Sequence, residues 1–212
     1  MLDIKDVCLS YGNKVILDHF NLTVQEGEIV CLSGESGCGK TSLLNAVIGF
    51  VPICSGSISV DNILMSPSTV DRLRRRIAWL PQELSLPSEW VKEMVHLPFQ
   101  LKGNRNVVFS EEKLFHCFDL LGLDHQLYDK RVDEISGGQR QRIMIAVSAM
   151  LHKKLLLADE PTSALDTAST EKVIDFFRQT AREGMSVLIV SHDHLLAESA
   201  DRHIILSQHG ID

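Results

Sequence analysis

Residues 34–41 read Gly-Glu-Ser-Gly-Cys-Gly-Lys-Thr, which puts three glycines, a lysine and a terminal hydroxyl within one short stretch. The order fits G-x-x-x-x-G-K-[ST] without a mismatch. An apolar run, Ile29 to Leu32, precedes it, and a periodic apolar segment, Leu43, Leu44, Val47 and Ile48, follows. That context is strand, glycine loop, helix, and its chemistry is the binding of a polyphosphate. A loop that wraps phosphates must offer backbone N–H groups at close range. Gly34, Gly37 and Gly39 permit angles and approaches that a Cβ would block. The helix that begins there adds unpaired N–H groups and the positive end of its dipole. Lys40 supplies a point charge for the β- and γ-phosphates, and the Thr41 hydroxyl supplies a hard oxygen for Mg²⁺. Cys38 sits inside the loop, where positive surroundings favour a reactive thiol.

Two further stretches carry the same chemistry. Leu155-Leu156-Leu157-Ala158 runs directly into Asp159-Glu160. A parallel strand delivers its C-terminal end to the crevice where phosphates bind. Asp159 is then expected near Mg²⁺ through a water, and Glu160 where it polarises an attacking water. Phosphoryl transfer asks mainly for positioning and charge stabilisation, which these groups provide. Alone, the pattern also describes a strand ending at a solvated acidic turn; downstream of the glycine loop, the phosphate reading takes precedence. Ser136-Gly137-Gly138-Gln139-Arg140-Gln141 opens a helix with a hydroxyl and two glycines. It is either an ordinary N-cap or a second phosphate-binding helix terminus. One phosphate loop does not need a second γ-phosphate sensor, so the economical reading is that this one serves another subunit's nucleotide.

The elements that position these groups follow from periodicity. Leu2 to Leu9 alternates as a strand with one irregularity, and Tyr11-Gly12-Asn13 turns the chain. Asn21 to Gln25 alternates again, and Glu26-Gly27 turns into the loop strand. Pro52 to Gly56 reads as loop, Ser57 to Val60 as a strand and Asp61-Asn62 as a turn. Arg72 to Arg76 reads as a solvated helix face before a short strand, Ile77 to Leu80. From Glu83 to about Ile135 the apolar spacing is helical, as in Leu114, Phe115, Phe118 and Leu121, with mobile connections expected around Pro87, Pro98 and Gly103. Gly137 to Leu151 and Thr167 to Arg182 are helices, and Leu155–Ala158 and Val187–Val190 are continuously apolar strands of the doubly buried kind. Alternating strands and helices around a glycine loop give an α/β P-loop core.

Bulk properties exclude several classes. A chain of 212 residues forms one sizeable domain, or one with a large insert. The formal net charge of −7 gives no electrostatic reason to expect nucleic acid as a partner. No apolar run approaches the ~20 residues that span a bilayer. The opening, Met1 to Asp6, is acidic and alternating, unlike a secretory signal. Cys8, Cys31, Cys38, Cys54 and Cys117 form no C-x-x-C pair and have no histidine at zinc-finger spacing, so they read as reduced thiols.

Taken in order, the motifs resemble those of an ATP-binding-cassette (ABC) ATPase, the nucleotide-binding subunit of an ABC transporter. Ile135 to Gln139 is similar to the family signature Leu-Ser-Gly-Gly-Gln, with Ile135 in place of Leu. Lys40-Thr41-Ser42 departs from the commoner Lys-Ser-Thr but keeps a hydroxyl at the magnesium position. The resemblance spans essentially the whole chain. It implies a P-loop core with a mainly parallel sheet, an N-terminal antiparallel β subdomain and a helical insert. The single domain, 1–212, would divide into a nucleotide-binding core (1–82 and 136–212) and a helical subdomain (83–135).

The resemblance further implies ATP and Mg²⁺ as cofactors. Gly34, Glu35, Ser36, Gly37, Cys38, Gly39, Lys40, Thr41 and Ser42 would bind the phosphates, and Tyr11 would stack on adenine. Thr41, Gln82 and Asp159 would serve Mg²⁺, and Lys40, Gln82, Glu160 and His192 would serve hydrolysis. Ser163 to Asp166 matches the D-loop of a dimer interface, with Asp166 beside the nucleotide. A second copy is implied, head to tail, so that Lys40 and Glu160 of one chain meet Ser136, Gly137, Gly138 and Gln139 of the other. An integral membrane permease would be contacted through residues 83–103, at the cytoplasmic face of the inner membrane, with no nucleic acid. The work done would be solute transport. The alternative is a soluble ABC-type ATPase acting on nucleic acid or ribosomes, but such relatives usually carry two cassettes or a long coiled-coil insert. A non-hydrolysing regulator is disfavoured because Glu160 and His192 are both present. Leu97-Pro98-Phe99-Gln100 also resembles the small bacterial iron-exporter cassettes.

Overall fold

The computed structural model describes residues 1–12, 14–83, 87–207 and 210–211. Asn13 of the expected turn and residues 84–86 of the expected insert and permease contact lie outside these. In chain order the elements are β1 (Leu2–Tyr11), β2 (Lys14–Val24), β3 (Ile29–Ser33), α1 (Lys40–Val47), β4 (Ser55–Val60), β5 (Ile63–Leu64), α2 (Val70–Arg74) and β6 (Ile77–Leu80). Then come α3 (Val91–Gln100), α4 (Glu111–Leu121), α5 (Gly137–Met150), β7 (Leu155–Asp159), α6 (Thr167–Arg182), β8 (Ser186–Val190), α7 (His194–Ser199), β9 (Arg202–Ser207) and β10 (Gly210–Ile211).

Two sheets result. One is antiparallel, in the order β2-β1-β4-β5. The other runs β10-β9-β3-β8-β7-β6, parallel except for β10. The continuous apolar runs of β3, β7 and β8 have the composition of strands buried on both faces, and their side chains divide with period two. Val30 and Leu32, Leu155 and Leu157, and Leu188 and Val190 join the antiparallel sheet and α1 in one core. Ile29 and Cys31, Leu156 and Ala158, and Val187 and Ile189 join α3 to α6 in the other. The parallel sheet is the partition between two hydrophobic cores, and its strand ends meet at the phosphate loop.

The helical spacing after Glu83 is realised in α3 and α4, which bury Val91, Met94, Val95 and Phe99, and Leu114, Phe118 and Leu121. Pro98 differs from expectation: it lies inside α3, in its last turn, and not in a connection. A proline near a helix end forfeits one backbone bond, and here its carbonyl gains one from Asn104 Nδ2 at 2.8 Å. The strand expected at 21–25 is the second half of β2, which begins at Lys14. Register slips between β1 and β2 break the alternation in the first half and hide the period. The strand expected from Ser57 begins at Ser55, inside the stretch read as loop. The arginine cluster is not wholly a solvated face either. Arg74 donates to the carbonyls of Ile48 (2.9 Å) and Gly49 (3.2 Å), just past the C-terminal end of α1, where a cation complements the helix dipole.

Candidate functional site

The glycine loop links β3 to α1 as its residues dictate. Gly34 has φ 147°, and a Cβ there would lie 2.3 Å from the carbonyl oxygen of Leu206. Gly39 has φ 108°, and a Cβ there would meet Ile16 Cγ2 at 2.5 Å. A side chain at Gly34 would displace the β9 backbone, and one at Gly39 would displace the Ile16 side chain. Gly39 is also the N-cap of α1 and offers no side-chain cap, so the first N–H groups of the helix stay available to an anion. The buried Lys40 arches over the loop and donates from Nζ to the carbonyls of Gly34 (2.7 Å) and Glu35 (3.0 Å). Cys38 is buried beneath, its sulfur 3.8 Å from the same nitrogen.

Beside the loop lies a cavity of about 460 Å³, lined by Ser36, Gly37, Gly39, Lys40, Thr41 and Ser42 together with Gln82, Asp159, Glu160 and His192. Four sequence-distant segments therefore converge: the phosphate loop, the end of β6, the end of β7 and the end of β8. Ile16 and Ser163 complete the wall.

Asp159 ends β7 and is almost wholly buried. Its Oδ1 has no partner among the described residues. Burial pushes its carboxyl above the ordinary range, against the Thr41 hydroxyl and the Lys40 charge. An oxygen left unpaired at such depth costs stability, and a hard cation held by Thr41 and Asp159 would satisfy it. The donor set thus fits Mg²⁺.

Glu160 adopts φ 50°, a left-handed conformation that costs a non-glycine residue energy. It is held there on both sides. Its N–H donates to Val190 O (2.8 Å), and its carbonyl accepts from Gln141 Nε2 (2.8 Å) and the Ser163 hydroxyl (3.1 Å). Its carboxylate meets the loop after β8: Oε2 accepts from His192 N–H at 3.3 Å, and Oε1 lies 3.6 Å from His192 Nε2. Thr162 donates to Asp193 at 3.0 Å and ties the same two loops. Gln141, Thr162 and Asp193 escaped the sequence reading because their contacts join residues 19 to 31 apart in the chain with no motif spacing.

Other expected residues stand apart from this cavity. Ser136 caps α5, accepting from Gln139 N–H at 3.1 Å, while Gln139 Oε1 accepts from Ser136 N–H at 2.9 Å, a reciprocal capping box. Ser136 and Gly137 are exposed, and none of residues 136–139 lines the chain's own cavity. Asp166 caps α6 through Ser169 N–H at 2.7 Å and does not line it either. Tyr11 ends β1 with half its surface exposed, outside the lining.

Comparison with known proteins adds to this geometry. The family model described as ABC transporter matches residues 17–163. The chain is 34% identical over 202 residues to a glutamine transport ATP-binding protein of Geobacillus stearothermophilus, covering 93% of this chain and 83% of that protein. It is 35% identical over 209 residues to a macrolide export ATP-binding/permease protein of Campylobacter jejuni, covering 96% of this chain but 32% of that longer protein. Among solved structures, a dimeric post-hydrolysis state of the ATP-binding cassette MJ0796 from Methanocaldococcus jannaschii, bound to ADP and Pi, superposes with a TM-score of 0.85 at 28% identity. That match covers 100% of this chain and 97% of the other.

Proposed function

The chain belongs to the ABC transporter ATP-binding family and is an ATPase, and from that premise we propose that it works as half of a head-to-tail pair. Each ATP is held between two copies. In each site Lys40 and the loop N–H groups bind the β- and γ-phosphates. Thr41, Asp159 and Gln82 would hold Mg²⁺, which supplies charge neutralisation on the phosphate oxygens when bound. Glu160 orients the attacking water, and His192 contacts the γ-phosphate. Ser136 to Gln139 of the second copy close the site, and Tyr11 stacks on adenine. The carrying observation is the division of the motifs. The cavity gathers Lys40, Gln82, Asp159, Glu160 and His192, whereas the signature lies outside it with Ser136 and Gly137 exposed.

ATP binding draws the two copies together, and phosphate loss removes the charge that bridges them. The motion is passed to a membrane permease at the cytoplasmic face of the cell membrane, where the chain is peripheral. No described helix is long and apolar enough to cross a membrane. A groove of about 730 Å³ supports the expected contact. It is lined by Glu83, Pro98, Leu101 and Lys102 together with Phe50 and Arg74. It adjoins Pro81 and Glu83, immediately around Gln82, so a shift at the nucleotide reaches it directly. The division at 83 and 135 into core and helical subdomain belongs to the same reading.

Glu160→Gln tests it. The variant is expected to bind ATP, to lose turnover by about 10²-fold or more, and to run as a dimer in saturating ATP by light scattering. A variant that stays monomeric under those conditions overturns the shared site.

A further inference from the structure

The antiparallel sheet carries a feature that phosphate chemistry does not use. Between the pairs Val7↔Phe20 and Leu9↔Leu17, the single residue Cys8 on β1 faces two residues on β2, Asp18 and His19. In a regular strand, neighbouring side chains point to opposite faces. This bulge instead turns Asp18 and His19 toward Cys8, which is how bulges re-aim side chains. A second slip lies between Ile4↔Leu22 and Val7↔Phe20, where Lys5 and Asp6 face Asn21. Both slips place a residue at positive φ, Asp6 at 53° and His19 at 50°. Asn21 locks them by accepting from Asp6 N–H (2.9 Å) and donating to the His19 carbonyl (2.8 Å).

The bulge brings together a sulfur, an imidazole nitrogen and a carboxylate oxygen. One ligand atom each from Cys8, Asp18 and His19 lies within 4.8 Å of the other two. Cys8 Sγ is 3.1 Å from Asp18 Oδ1, and His19 Nε2 is 3.8 Å from that oxygen. A tetrahedral ion with bonds of 2.0–2.3 Å sets its ligand atoms roughly 3.3–3.7 Å apart, and these separations bracket that value. The other ring nitrogen of His19, Nδ1, is bonded to Asp6 Oδ1. A carboxylate on the far nitrogen fixes the tautomer and aims Nε2 as a ligand.

We propose that Cys8, Asp18 and His19 bind one divalent cation of borderline softness, of the Zn²⁺ class, with Asp6 as the positioning residue. The ligand set selects for that class, since thiolate and imidazole disfavour Mg²⁺ and Ca²⁺. The thiol proton that Cys8 now donates to Asp18 is the one the metal replaces, and it leaves to solvent. Three protein ligands leave a fourth position for water. Asp18 and His19 also line a cleft of about 470 Å³ shared with Gly37 and Cys38 of the phosphate loop, so the cation would sit beside the nucleotide site and not in it. This assignment does not depend on the dimer reading.

The test uses the full reduced chain, stripped of metal and kept in excess Mg²⁺ to occupy the nucleotide site. Co²⁺ is titrated as the probe and then displaced with Zn²⁺. One equivalent of Co²⁺ should give a thiolate charge-transfer band and the intense visible bands of a tetrahedral ion. Cys8→Ser should abolish the charge-transfer band, and Cys54→Ser should leave it unchanged. Asp6→Asn should weaken Zn²⁺ affinity by about 10–100-fold with the fold intact by circular dichroism. Absence of the band in the parent chain, which needs no variant, overturns the site, as does a band that survives Cys8→Ser.

Discussion

Glu160 shows how a single strained residue is kept in place. Its left-handed backbone is clamped through its N–H by Val190 and through its carbonyl by Gln141 and Ser163. Gln141 is buried, on the inner side of the helix that the signature opens. Gln141→Leu is expected to lower kcat about tenfold or more, because small misplacements of a reacting group are costly, while KM for ATP stays put. An unchanged kcat, or a KM that rises in proportion, ends that assignment. Asp166 gives a pH test. Hydrogen bonds from Ser169 hold its carboxyl below the ordinary value of 3.8. A depressed pKa means that the folded chain takes this proton less readily than the unfolded one. The contribution is therefore complete above about pH 4 and is lost as the pH falls below it. Asp166→Asn keeps an acceptor but removes the charge, so melting curves should show a flatter acid limb than the parent; superimposable limbs refute this. At this scale the phosphate loop and the Asp159-Glu160 pair were each legible because, within each motif, neighbours in sequence line the same cavity. Gln141, Thr162 and Ile16 were not, because only the tertiary fold brings them there.

Among elements, α5 shows at its first turn how surroundings restrict a sequence. A Cβ on Gly138 would lie 2.7 Å from the Ala164 carbonyl oxygen and 3.0 Å from Leu165 Cδ2, whereas one on Gly137 would meet only Ala164 Cβ at 3.9 Å. Overpacking costs about 1–3 kcal/mol, set against about 1 kcal/mol gained by replacing a helical glycine with alanine. Gly138→Ala should therefore lower Tm by a few degrees, at about 2–4 °C per kcal/mol, and Gly137→Ala should not. Equal Tm values for the two variants would show that the loop before α6 yields freely. The doubly buried strands and α6 were readable from sequence because their apolar pattern is unbroken. The first half of β2 was not, since register slips against β1 scramble its period, and Pro98 misled because α3 carries it in its last turn, with Asn104 bonded to its carbonyl.

The whole molecule is built as two cores that share one wall, the parallel sheet. α3 and α4 pack into the same core as α5 and α6, so among the described residues the insert shows no separate interior. Heating should give one cooperative calorimetric transition. Phe118→Ala, which empties the centre of α4, should move that transition down by the equivalent of about 3–5 kcal/mol without splitting it. A separate early transition in the variant would show that the insert melts alone. One detail of the exposed Ser136 bears on the proposed pairing of two molecules. The Ser136 oxygen is engaged as an acceptor by its own helix, yet among the described residues its proton has no acceptor. An aspartate would finish the helix equally well, but it would greet an arriving anion with repulsion and nothing to donate. Helix chemistry alone does not choose between the two side chains; the phosphate of the proposed paired site would.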